Sequence, residues 1–228
     1  MTGMLASVSS LDEAIIALEQ QVDIIDLKQP TKGALGALEL DSIELIVKYI
    51  NNECSISATI GDLPMQAEKI VDAVNKIAST GVDYVKIGFF PGLAWDTTIN
   101  QLSILSRQGL KLIAVLFADQ QPDINTIRHF KDAGFSGVML DTMDKSRGAL
   151  TQVLPEQQIK AFVDEAKNQQ LLCGLAGSLR REDIPALLSL QAHYLGFRGA
   201  ICQQHNRTEA LDKQALQSIV NSISGSRI

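Results

Sequence analysis

Two lysines embedded in apolar segments, with carboxylates spaced around them, are the parts of this sequence best suited to chemistry. Asp26 and Lys28 end the run Ile24-Ile25-Asp26-Leu27-Lys28, just before Gln29-Pro30 and the stretch Thr31-Lys32-Gly33-Ala34-Leu35-Gly36. In an extended strand, residues i and i+2 point the same way, about 6.6 Å apart. Asp26 and Lys28 therefore project together from a strand end into a loop. Lys86 lies in Tyr84-Val85-Lys86-Ile87-Gly88, and Asp141 ends Gly137-Val138-Met139-Leu140-Asp141, with Lys145 four residues later. An uncompensated charge inside an apolar strand is costly. A lysine beside a carboxylate suits imine formation or proton transfer, and a structural ion pair is the competing reading for each residue alone. A polar set contributed by three strands is harder to explain as packing.

The lysines also act on one another. Two like charges about 6 Å apart at an effective dielectric of about 20 repel by roughly 3 kcal/mol, or about two pKa units. That repulsion favours a neutral, nucleophilic amine, while Asp26 and Asp141 oppose it. The two acids could also shuttle protons or orient a substrate.

Such groups need a scaffold that gathers strand ends. Apolar segments predict strands at residues 4–8, 24–28, 55–60, 84–88, 112–117, 137–141, 171–175 and 194–197. Amphipathic helices are predicted between them. Ser10 reads as an N-cap with Glu13 three residues on, a helix begins near Asp41, and further helices cover 64–78, 97–107, 124–132, 155–168, 183–190 and 211–223. Eight strand–helix units in 228 residues predict a single-domain α/β protein, a (β/α)8 TIM barrel over 1–228. An open doubly wound sheet is the alternative, without the GxGxxG after the first strand that its dinucleotide-binding members carry.

In such a barrel the site forms at the C-terminal ends of the strands. Asp26, Lys28, Lys86, Asp141 and Lys145 all fall there, and Asp62 and Asp119 lie just past the third and fifth strands. Beyond the seventh and eighth strands come Gly177-Ser178 and Arg198-Gly199-Ala200. Small residues at these two loops predict a phosphate cradle of backbone N–H groups, to which Arg198 could add charge.

Composition narrows the options. The formal charge of −6, with no basic run, disfavours nucleic acid. Cys54, Cys173 and Cys202 are isolated, and His129, His193 and His205 are scattered, so neither a metal site nor a disulfide framework is expected. No secretion signal or membrane-length apolar run is read, which predicts a soluble cytoplasmic protein. No cofactor is called for. A homo-oligomer is allowed but not specified.

The pattern Asp26-Leu27-Lys28-x-Pro30, Lys32-Gly33-Ala34-Leu35-Gly36 and Tyr84-Val85-Lys86-Ile87-Gly88 resembles the (5-formylfuran-3-yl)methyl phosphate synthases. The resemblance continues through Met139-Leu140-Asp141-Thr142 with Lys145, Gly174-Leu175-Ala176-Gly177-Ser178-Leu179 and Gly196-Phe197-Arg198-Gly199-Ala200. It implies a TIM barrel that condenses two molecules of glyceraldehyde 3-phosphate into a furan aldehyde phosphate, with loss of phosphate and water, on the way to methanofuran. It also implies Lys28 as the Schiff-base lysine and Lys86 as proton acceptor, supported by Asp26, Asp141 and Lys145. Two other readings compete: a class I aldolase acting on a small sugar phosphate, and a non-catalytic phosphometabolite-binding barrel.

Overall fold

A computed structural model describes residues 1–92 and 94–225; the last three residues of the expected 1–228 domain lie outside the described ones. Eight strands pair in sequence order and close on themselves: β1 (Gly3–Val8), β2 (Ile24–Leu27), β3 (Ser55–Thr59), β4 (Tyr84–Gly88), β5 (Leu112–Phe117), β6 (Gly137–Asp141), β7 (Leu172–Leu175) and β8 (Tyr194–Phe197). Every pairing is parallel, and β1 meets β8 with Leu5 opposite Gly196. The helices are α1 (Leu11–Glu19), α2 (Leu40–Ile50), α3 (Ala67–Ser79), α4 (Trp95–Arg107), α5 (Thr126–Asp132), α6 (Leu150–Val153), α7 (Glu156–Asn168), α8 (Ile184–Ser189) and α9 (Lys213–Ser224). The expected (β/α)8 barrel is the observed fold. The short α6 was not foreseen, because a single turn carries no readable periodicity.

Two apolar clusters divide the core. The larger lies between the outer barrel face and the helices, and includes Ile25, Ile43, Val74, Ile87, Leu116, Phe130, Leu140, Phe162 and Ile219. The smaller fills the barrel itself with Leu5, Ile24, Val115, Phe117, Met139 and others. Strand residues of one parity face the helices, and those of the other face the barrel axis. The second parity places Asp26, Lys86 and Asp141 inside.

Loop anchors set the upper rim. Asp62, past β3, accepts hydrogen bonds from the N–H groups of Ala34 (2.8 Å) and Leu35 (2.7 Å). This pulls the loop after β2 so close that Gly33, at φ +122°, would drive a Cβ to 2.0 Å from the Asp62 carboxylate. Asp119, past β5, accepts likewise from Met143 and Asp144 at 2.7 and 2.8 Å. Both acids thus fasten neighbouring loops. Ser10 caps α1 as expected, accepting from Glu13 N–H at 3.3 Å.

Candidate active site

The site is built from the strand ends inward. Register aligns Ser7 with Asp26 and Asp26 with Ser57 across β1, β2 and β3. The Asp26 carboxylate accepts from Ser7 Oγ at 3.0 Å, from Ser57 Oγ at 2.6 Å and from Lys86 Nζ at 3.0 Å. Burial disfavours its charge, but the lysine charges of Lys86 and Lys28, with hydrogen bonds from Ser57 and Lys86, hold its pKa below the usual carboxylate range.

A second pair stands at β6. Lys145 Nζ lies 2.6 Å from Asp141 Oδ1 and also donates to the Thr142 carbonyl. Thr142 N–H donates to the same carboxylate at 2.7 Å. Burial would raise the pKa of Asp141, yet Lys145 and Lys28 outweigh it and hold the group at about 2.

Lys28 is different. It is 7% exposed, and its amine forms no hydrogen bond or ion pair with the described residues, whereas Lys86 and Lys145 each hold a carboxylate. Burial lowers its pKa to about 8; Asp141 and then Asp26 resist the shift, and Lys86 and Lys145 reinforce it. The like-charge effect expected from sequence is therefore present, but desolvation is the larger cause. A buried amine with this pKa is partly neutral near neutrality and can act as a nucleophile. The buried thiols cannot serve in its place: burial pushes Cys173 up to about 12 and Cys202 to about 11.

Beside these groups, a cavity of about 200 Å³ opens over β7 and β8, lined by Lys145, Ser178, Arg180, Gly199, Ala200, His205, Asn206 and Arg207. Gly199 and Ala200 begin a short 3-10 turn (Gly199–Ile201), where the first N–H groups have no intrahelical acceptor. Gly177, at φ +112°, is pressed against Thr142, whose N would lie 3.0 Å from an added Cβ. It therefore joins β7 to the Asp141 loop and does not line the cavity itself. Arg180 and Arg207 escaped the sequence reading, because both lie in polar loops well past the strand ends. Arg207 also donates to the Gly33 carbonyl at 2.8 Å, tying the loops after β8 and β2 together. Burial lowers its pKa, opposed by Asp141 and Asp62.

Arg198 is placed elsewhere than the phosphate reading expects. Its guanidinium forks onto Glu13 at 2.5 and 3.1 Å and donates to the carbonyls of Ser7, Arg207 and Glu209. All five of its N–H groups are committed to these acceptors, leaving none for an anion. The reason is Glu13, which is buried in α1 and needs a counter-charge. Among the described residues, no group of three or more His, Cys, Asp or Glu side chains converges to hold a metal ion, and no helix is long and apolar enough to cross a membrane.

A closed parallel barrel with lysines and carboxylates gathered at the C-terminal strand ends defines a TIM-barrel enzyme. The comparisons narrow the class. Residues 4–220 match the family model described as 4-HFC-P synthase. A Methylorubrum extorquens protein, provisionally named a (5-formylfuran-3-yl)methyl phosphate synthase, is 37% identical, with 96% of this chain and 91% of the relative covered. The (5-formylfuran-3-yl)methyl phosphate synthase of Methanopyrus kandleri is 32% identical, with 90% and 91% covered. The crystal structure of phosphoribosyl anthranilate isomerase from Thermus thermophilus superposes with a TM-score of 0.70 over the whole of both chains at 12% identity, a likeness of fold alone. The chain belongs to the 4-HFC-P synthase family.

Proposed function

We propose that this protein condenses two molecules of glyceraldehyde 3-phosphate into (5-formylfuran-3-yl)methyl phosphate through an imine on Lys28, in the biosynthesis of methanofuran. The observation that carries this reading is the buried Lys28 amine, without a partner among the described residues and set between two lysine–carboxylate pairs. Neutral Lys28 attacks the carbonyl carbon of one triose phosphate, and the carbinolamine loses water to leave the imine. The proton for that departing water comes from the Lys145 ammonium, held on Asp141. Lys86, aimed by Asp26, handles the proton on the carbon next to the imine. Joining the two trioses and closing the ring releases one inorganic phosphate and two waters in all, which balances the furan aldehyde phosphate.

Substrate phosphate fits the cavity over β7 and β8. Arg180, Arg207 and Lys145 supply charge there, and Ser178, Gly199 and Ala200 supply backbone and hydroxyl donors. Gly177 supports this loop from behind. In this reading Arg180 and Arg207 take the part first given to Arg198.

The test is incubation with glyceraldehyde 3-phosphate, reading the near-ultraviolet absorbance of a furan aldehyde, followed by borohydride reduction and peptide mass mapping. Furan product with a reduced adduct on Lys28 is expected. An adduct with an aldol product and no furan absorbance would place the protein with the class I aldolases. Binding without turnover or adduct would overturn the enzymatic reading.

A further inference from the structure

The carboxylate of Asp26 is held from three sides by strands far apart in sequence. Ser7 on β1 and Ser57 on β3 flank it at one level of the barrel, each donating to a different carboxylate oxygen, and Lys86 from β4 shares the oxygen that Ser57 takes. All four side chains are buried: Asp26 and Lys86 are 0% and 2% exposed, and both serines 2%. Inward-facing barrel positions usually carry bulky branched residues that fill the interior. Two serines here leave volume unfilled. Ser57 in fact borders a cavity of about 40 Å³ beneath Lys86, lined by apolar groups such as Leu5, Ile24 and Met139. Space does not require a small residue at 57, so its hydroxyl needs another explanation.

We infer that Ser7 and Ser57 are positioning residues that keep Asp26 a fixed anion through turnover, so that Asp26 aims Lys86 and does not itself carry protons. A hydroxyl donating to a carboxylate stabilises the ionised form, and with both oxygens occupied in a buried site the dipoles are already set before reaction. Proton traffic at the imine then falls to Asp141 and Lys145, the latter 19% exposed and able to exchange with solvent. The charged groups bearing on Asp26 are Lys86 from β4 and Lys28, one residue past β2; Asp141 and Lys145, from β6 and its loop, bear on Lys28. This inference rests on the roles proposed above for Lys28 and Lys86.

The experiment compares the native protein with Ser57→Ala, Ser7→Ala, the double variant and Ser57→Thr, measuring furan formation against pH. The apolar cavity beside Ser57 gives the added threonine methyl room. Each lost hydroxyl should raise the pH at which Asp26 protonates by about one unit, the scale of a hydrogen bond to a charged group. Beneath the acid limb that Lys28 sets, a second and lower acid limb of kcat should move up with it, while KM stays within about twofold and Ser57→Thr keeps the native lower limb. An unmoved lower limb in a folded Ser57→Ala or Ser7→Ala variant overturns the inference, as does a Ser57→Thr variant that behaves like Ser57→Ala. A carbon-13 NMR titration of the Asp26 carboxyl, assigned with Asp26→Asn, reads the same shift without turnover. If the native protein makes no furan but the Asp26 titration moves as expected, the synthase reading fails while the positioning of Asp26 stands.

Discussion

Lys86 Nζ sits 3.0 Å from Asp26 Oδ1 in the barrel interior, and this pairing separates two lysines that look alike in the sequence. Both are buried, Lys86 within β4 and Lys28 one residue past the end of β2. Because Lys86 claims Asp26 and Lys145 claims Asp141, the amine of Lys28 is left without a partner among the described residues. An amine tied to a carboxylate is favoured as the cation, whereas a desolvated and unpaired one is pushed toward the neutral form. In the proposed imine chemistry, the nucleophile is thus selected by which acids its neighbours occupy.

The clearest consequence concerns trapping. Lys28→Arg keeps a charge but removes the nucleophile, since arginine stays protonated; turnover and the borohydride adduct should both vanish. Lys86→Arg should abolish turnover while leaving some adduct on Lys28. In the native protein the initial trapping rate should climb through pH 8, where Lys28 titrates, and flatten above it. A rate still climbing toward pH 10.5, or an adduct mapping to Lys86, contradicts the assignment.

Stability should carry the opposite signature. Lys28 titrates near 8 in the folded protein against 10.5 ordinarily. Above pH 10.5 the amine is neutral in both folded and unfolded chains and nothing is lost. As pH falls from 10.5 to 8 the unfolded chain gains a proton that the folded one resists, and below 8 the cost levels off at about 3 kcal/mol. Lys28→Met should accordingly stabilise the protein at pH 7 by up to about 3 kcal/mol, with the gain shrinking toward pH 10. Denaturant melts of both proteins at the two pH values check this.

Asp141→Asn removes the carboxylate on which Lys145 is held. Turnover should fall by about 10²-fold or more, the usual scale for a general acid–base group, with KM little changed. Steady-state kinetics decide the matter, and near-native kcat would make the pair structural.

The two arginines at β8 should separate by their effects. Arg198→Met strands the buried Glu13 carboxylate, which should cost about 3–5 kcal/mol of stability and leave KM near native in whatever fraction folds. Arg207→Met removes a cation lining the cavity proposed for phosphate and should raise KM by about 10- to 100-fold, the scale of one charge-assisted hydrogen bond. A KM shift in Arg198→Met with native stability would return the anion to Arg198.

Much of this protein was determined by local pattern. Eight apolar runs, each followed by a turn signal and an amphipathic helix, leave few alternatives to a barrel. The two-residue period of a strand is enough to put Asp26, Lys86 and Asp141 on the face opposite the helix-packing residues. The glycines and small residues of the loops after β7 and β8 were legible for the same reason, since they mark where the backbone turns. What only the tertiary structure decided is which neighbour each charged group meets. Lys86 and Asp26 are 60 residues apart, and Arg198 and Glu13 are 185 apart; their distances depend on barrel closure and register, which no local period encodes. Ser7 and Ser57 gained meaning only when β1 and β3 were aligned on either side of Asp26. Arg198 illustrates the limit most sharply. Its place at a strand end was readable, but the buried carboxylate that captures it lies on the first helix, brought alongside by the closing of the last strand onto the first.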